Sequence, residues 1–119
     1  MVVLIAEDDE LILQTIAHKL KKEGFEVILT RNGLEALSLI QAGGIDLIIS
    51  DIMMPFASGI ELLAEVKRLT NPIPILMLSS MGQENIVLEA FELGASDFMI
   101  KPFSPNELII RVNRLIAKG

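Results

Sequence analysis

Apolar residues along this 119-residue chain alternate between two textures. Short solid runs, "VVLIAE" (2–7), "IDLIIS" (45–50), "IPILML" (73–78) and "DFMIK" (97–101), have the length and content of strands buried on both faces, and "EVILT" (26–30) is a fifth, shorter candidate. Between them the apolar positions change to a helical period. Leu11, Ile12, Ile16 and Leu20 predict one stripe, Leu62, Leu63, Val66 and Leu69 a second, and Leu108, Ile109, Val112, Leu115 and Ile116 a third. "SPNE" at 104–107 reads as a capping box with proline at the first helical position, which places the start of the last helix. Gly24, Gly33, Gly43, Gly44, Gly59 and Gly94 fall at the proposed junctions. The pattern is β-α repeated five times. Such alternation predicts one α/β domain over residues 1–119, a doubly wound parallel sheet of five strands with helices on both faces.

Composition narrows the functions open to this domain. It is 51% apolar and 22% charged, which excludes disorder, and its apolar runs are too short to span a bilayer. No cationic leader with a cleavage site precedes the first strand, so a cytoplasmic, non-membrane address is expected. The chain has no cysteine, so disulfides, thiolate chemistry and sulfur-bound metals are ruled out. A formal net charge of −6 disfavours direct binding to nucleic acid.

Parallel sheets bind ligands beyond the carboxyl ends of their strands, and the reactive side chains gather there. Glu7, Asp8 and Asp9 follow the first strand, Asp51 the third, Ser79 and Ser80 the fourth, and Lys101 the fifth. Carboxylates about 4 Å apart repel by about 4 kcal/mol at an effective dielectric near ~20, so acids converging from two strands call for a cation. Carboxylate and water ligands at an open edge suit Mg2+. Asp9 and Glu10 are assigned only to the start of the first helix, where the dipole favours acids. Asp51 is placed as a nucleophile able to accept a phosphoryl group, with Lys101 before Pro102 as the point charge and Ser79 as a neutral donor. Taken singly, that lysine reads as a solvated strand end and that serine as a turn former. His18 lies off its helical stripe and is given no role.

"IAEDDE", "LIISDIMMP" with Gly59, "LMLSS", "GASDFMIKPF" and "NELIIRV" together resemble, over essentially the whole chain, the receiver domain of two-component response regulators, the CheY-like fold. The resemblance implies strand order 2-1-3-4-5 and a phosphorelay switch: a sensor histidine kinase donates its phosphoryl group to Asp51, and an output domain or downstream protein reads the change. It also implies Mg2+ bound by Asp8, Asp51 and the backbone carbonyl of Met53, with Glu7 acting through water. Ser79 and Lys101 match the family's hydroxyl and lysine residues, and the Lys101–Pro102 bond is expected to be cis. Phe98 takes the aromatic switch position without the hydroxyl of the tyrosine often found there, and Ser58 stands where many relatives carry aspartate.

Such a domain catalyses only its own phosphorylation and dephosphorylation. The alternative from another class is a Mg-dependent phosphohydrolase that also forms an aspartyl phosphate. That class wants a second aspartate two residues on, where this chain has Met53. A third is an interaction module with a dead site, against which all the reactive residues are present. For output, "NIVLEAFELG" (85–94) predicts a helix apolar almost all round. Asp97, Glu107 and Arg111 resemble the ion pairs that OmpR/PhoB-type regulators make across a dimer of the fourth helix, fifth strand and fifth helix. Val87 replaces the basic residue usual there, so the expectation is a weak homodimer on activation.

Overall fold

In the computed structural model, which describes residues 1–54 and 56–118, the elements alternate strictly: β1 (Val2–Ala6), α1 (Glu10–Lys22), β2 (Glu26–Thr30), α2 (Gly33–Ala42), β3 (Leu47–Asp51), α3 (Gly59–Lys67), β4 (Ile75–Ser79), α4 (Glu84–Glu92), β5 (Asp97–Ile100) and α5 (Pro105–Lys118). Pro55, which closes the motif "LIISDIMMP", lies outside the described residues. The five strands form one parallel sheet in the order β2-β1-β3-β4-β5. Central β3 and β4 are buried along their whole length, because helices cover both faces and leave no polar register. Side chains alternate across the sheet: Val3, Ile5, Leu47 and Ile49 pack with α1 and α5, while Leu4, Ala6, Ile48 and Met77 pack with α2, α3 and α4. Among the described residues no helix is long and apolar enough to cross a membrane.

The predicted stripe on α1 needs correction. Its buried face is Leu13, Ile16, Ala17 and Leu20, whereas Leu11 is 78% exposed. Asp9 explains the offset: its carboxylate accepts from the Ile12 backbone N–H at 3.1 Å, so the helix begins at Glu10 and turns Leu11 away from the sheet. Glu10, expected only to favour the dipole, also receives two bonds from the Arg31 guanidinium after β2, at 2.8 and 2.9 Å. Leu69 falls past the end of α3 and packs only partly buried against the core. On α5, Ser104 caps the Glu107 N–H at 3.0 Å, but the Glu107 carboxylate is held by Arg111. A complete box forms instead at Ser58 and Glu61, which starts α3.

That start of α3 matters for the reacting edge. A Cβ added at Gly59 would stand 2.8 Å from the Asp51 carbonyl oxygen and 2.9 Å from the Ile52 Cα, both backbone atoms. Only glycine lets the helix press directly on the end of β3, where its N–H donates to the Ile52 carbonyl at 3.0 Å. Gly59→Ala should therefore destabilise the domain by about 1–3 kcal/mol, as overpacking does. Denaturant unfolding checks this, and an unchanged midpoint would show that the contact is not tight.

Candidate functional site

Four strand ends bring the predicted reactive residues together. After β1 the Glu7 N–H donates to the Thr30 carbonyl at 3.1 Å, and the Thr30 hydroxyl donates to the Ile5 carbonyl at 2.9 Å. These bonds aim the Glu7 side chain into the fold, where it is fully buried. Asp51 ends β3 and is also buried. Asp8 stays exposed, yet one oxygen from each of Glu7, Asp8 and Asp51 lies within 4.8 Å of the others. Asp9 points to its helix instead.

Lys101 enters this cluster from β5. Its backbone N–H donates to the Ser79 carbonyl at 2.7 Å, and the Lys101–Pro102 peptide is cis, as expected. Lys101 Nζ donates to Asp51 Oδ2 at 3.0 Å and lies 2.6 Å from Glu7 Oε1. Both carboxylates thus meet the same ammonium, Glu7 through its Oε1 and Asp51 through its Oδ2. The other Asp51 oxygen accepts from the Met53 N–H at 3.3 Å. One ammonium thus pairs with two of the three clustered carboxylates, and the site is short of positive charge.

Burial is the largest influence on Glu7 and pushes its carboxyl up to about 7, with Asp51 adding to the rise and Lys101 opposing it. For Lys101 burial works downward, but the two carboxylates more than offset it and hold the ammonium above its ordinary range. Ser79 is buried at the end of β4; Leu78 is the partner of Asp51 in the ladder, so Ser79 stands one residue beyond it. Phe98 is half-buried and packs on Phe91 of α4 with ring centroids 4.2 Å apart. His18 is exposed.

The residues expected to bridge two copies pair within one chain. Arg111 donates to both Asp97 oxygens at 3.1 and 3.0 Å and to Glu107 at 3.1 Å. Val87 is half-buried against the core, while Leu88, Phe91 and Ile100 remain exposed beside it. One support of the site was missed in the sequence, Thr30, although it carries a signal: a hydroxyl closing the apolar run Val27 to Leu29. The loop after β3 also holds Phe56, exposed with φ +71°, which the sequence does not announce because aromatic residues rarely take that conformation.

The raised carboxyl of Glu7 predicts a pH effect. The native state holds that proton more tightly than the unfolded chain, so its contribution is complete below pH 4.5 and is lost as pH rises through about 7. In chelator, Glu7→Gln should gain stability relative to wild type across that window. Urea midpoints of both proteins at several pH values test it, and a difference independent of pH would refute it.

Residues 3–113 match the family described as the response regulator receiver domain. Among relatives, the probable transcriptional regulator ycf29 of Pyropia yezoensis is 39% identical over 117 residues, covering 97% of this chain and 53% of that protein. Response regulator SaeR of Staphylococcus aureus (strain COL) is 38% identical over 115 residues, 97% of this chain and 50% of its own length. The chain therefore spans about half the length of these curated relatives. Two similar structures are the receiver domain of the Francisella response regulator 1452 (38% identity, TM-score 0.89, covering 98% and 97% of the two chains) and the chemotaxis response regulator CheY4 of Vibrio cholerae (34%, 0.87, 96% and 97%). On the family match over residues 3–113 and these similarities in sequence and fold, the chain belongs to the response regulator receiver domains, the phosphorelay switches of two-component signalling.

Proposed function

We propose that Asp51 is the phosphoacceptor and that its donor is a phosphohistidine on a partner sensor histidine kinase. The observation that carries this reading is the Lys101 ammonium paired with both Asp51 and Glu7, with Asp8 completing the carboxylate cluster. A carboxylate oxygen of Asp51 forms a bond to phosphorus while the P–N bond breaks and the imidazole leaves with that electron pair. Lys101 then faces the phosphoryl oxygens as a fixed charge, and the Ser79 hydroxyl donates to one of them. An output domain or downstream protein would read the rearrangement that follows.

The donor set fits Mg2+: hard oxygens only, and three clustered carboxylates with one ammonium among them. Asp8, Asp51 and the Met53 backbone carbonyl would hold it, with Glu7 acting through water. Bound there, Mg2+ would supply positive charge to the phosphoryl oxygens. Nothing favours the phosphohydrolase alternative. The carboxylates around Asp51 come from another strand, and its second following residue is Met53.

Acetyl phosphate with Mg2+ should add one phosphoryl group, about 80 Da, to the wild type and none to Asp51→Ala. An adduct that survives in Asp51→Ala would sink the assignment. In Mg2+ titrations, Asp8→Asn should lose more affinity than Glu7→Gln, with Asp9→Asn close to wild type. Equal losses in all three would mean that the ligand set is wrong.

For a second copy of the chain, the face of α4, β5 and α5 offers Leu88, Phe91, Ile100 and Ile110 as exposed apolar contacts. Because Arg111 is already paired internally, a dimer through this face would rest on apolar burial and change little with salt. Sedimentation of the beryllofluoride-treated protein at low and high salt decides it. Dissociation on adding salt would mean that ion pairs hold the dimer.

A further inference from the structure

We propose that Arg31 is a positioning residue for Mg2+: through Glu10 it fixes the short segment that carries Asp8, and so sets the affinity of the site. The inference rests on the ligand set proposed above. Two basic residues directly follow strand ends on the reacting edge, Lys101 after β5 and Arg31 after β2. Lys101 is taken up by Asp51 and Glu7. Arg31 instead crosses to the chain that leaves β1, where its Nε donates to Glu10 Oε2 at 2.8 Å and its Nη2 to Glu10 Oε1 at 2.9 Å. This fork matches both carboxylate oxygens at once, and the Gln14 amide adds a third bond, to Oε1, at 3.0 Å.

The fork repeats in side chains a main-chain link made three residues earlier, the Glu7 N–H to the Thr30 carbonyl at 3.1 Å. Only Asp8 and Asp9 lie between the two links. Asp9 is occupied by the cap of α1, and Asp8 is exposed, so packing does not aim its carboxylate. Its aim follows from the backbone held between those anchors. The β2 side of the clamp is itself firm: the Thr30 hydroxyl donates to the Ile5 carbonyl at 2.9 Å, Asn32 caps α2 through the Glu35 N–H at 2.9 Å, and Gly33 packs so closely on the Ala57 carbonyl oxygen that a Cβ has no room. Both partners of the Arg31–Glu10 pair are about half exposed, so the pair adds little to global stability. Its effect falls on geometry. Mg2+ demands near-ideal octahedral coordination, so a small drift of Asp8 lowers affinity. The sign separates this from a simple field effect, because removing a cation beside clustered carboxylates would by charge alone strengthen Mg2+ binding.

The test is a Mg2+ titration of this chain followed by amide NMR signals, with urea unfolding in chelator alongside. Arg31→Met should bind Mg2+ about three- to tenfold more weakly than the wild type, less than loss of a ligand's direct hydrogen-bond partner would give because Arg31 acts at one remove. Its urea midpoint should stay close to wild type. Arg31→Lys should recover only part of the loss, since a point charge cannot match both oxygens. In a Glu10→Gln background, Arg31→Met should weaken binding no further, as expected of a residue that acts through Glu10. With acetyl phosphate as donor, the Mg2+ concentration for half-maximal labelling of Arg31→Met should rise by the same factor, while the rate at saturating Mg2+ stays near wild type. Unchanged or tighter Mg2+ binding in Arg31→Met, a loss that adds in full to that of Glu10→Gln, or one that comes with a lower urea midpoint overturns the inference alone. Full Mg2+ affinity in Asp8→Asn overturns the ligand set, and the inference falls with it.

Discussion

The organisation of this domain depends on one ammonium. Lys101 reaches from the last strand to within 3.0 Å of Asp51 on the middle strand and 2.6 Å of Glu7 after the first. Without it, two buried carboxylates would face each other with no compensating charge, a cost that removing one partner of a buried pair places at about 3–5 kcal/mol. With it, three strand ends are drawn to a common point. The pairing is still incomplete, because Asp8 shares the cluster and the one ammonium pairs only with Glu7 and Asp51. That residual negative charge makes the edge receptive to a cation rather than merely stable.

Strand order turns a sequence spread over nearly a hundred residues into that point. Placing β1 between β2 and β3 sets the acids after Ala6 beside Asp51, and placing β4 next sets Ser79 between Asp51 and the end of β5. Helices on both faces need the strands to be apolar throughout, so polar side chains are tolerated only where the strands stop. The same requirement presses Gly59 onto the Asp51 carbonyl and so fixes the direction in which the loop leaves β3. The packing rules of the fold and the chemistry of its edge are one constraint.

Legibility in the sequence followed the strength of the local signal. The solid runs of β1, β3 and β4 are buried on both faces, so their apolar content alone announces them, and the residues that end them were readable as an edge. The α1 stripe failed at Leu11 because an apolar side chain in a first turn satisfies the helical period whether or not it meets the core; the capping bond of Asp9 decides, and it is set by backbone direction. Arg111 illustrates a different limit. Its position resembles that of a bridging residue, and within the single chain it binds both Asp97 and Glu107, a pairing that spacing along a sequence does not announce. Phe56 gave no sign, since its backbone conformation is imposed by the loop rather than chosen by the residue.

The reacting edge and the α4 face are joined by short, checkable links. Lys101 N–H is bonded to the Ser79 carbonyl, Ser79 lines the groove beside α4, and Phe98 on β5 packs on Phe91 of that helix. Of the α4 residues only Ala90 is buried, and its N-cap, Gln83, makes no capping bond, so this helix holds the sheet with less apolar area than its neighbours do. A helix so lightly seated needs little free energy to shift. If a phosphoryl group on Asp51 draws Lys101 and Ser79 toward its oxygens, the displacement begins at the two strands that flank α4, and the element least anchored to the core is the one that moves. The exposed Leu88, Phe91 and Leu93 move with it. On the proposed function, the electrostatics of one edge would thus be converted into a change in the shape of an apolar surface, and the light seating of α4 lowers the free energy that this change requires.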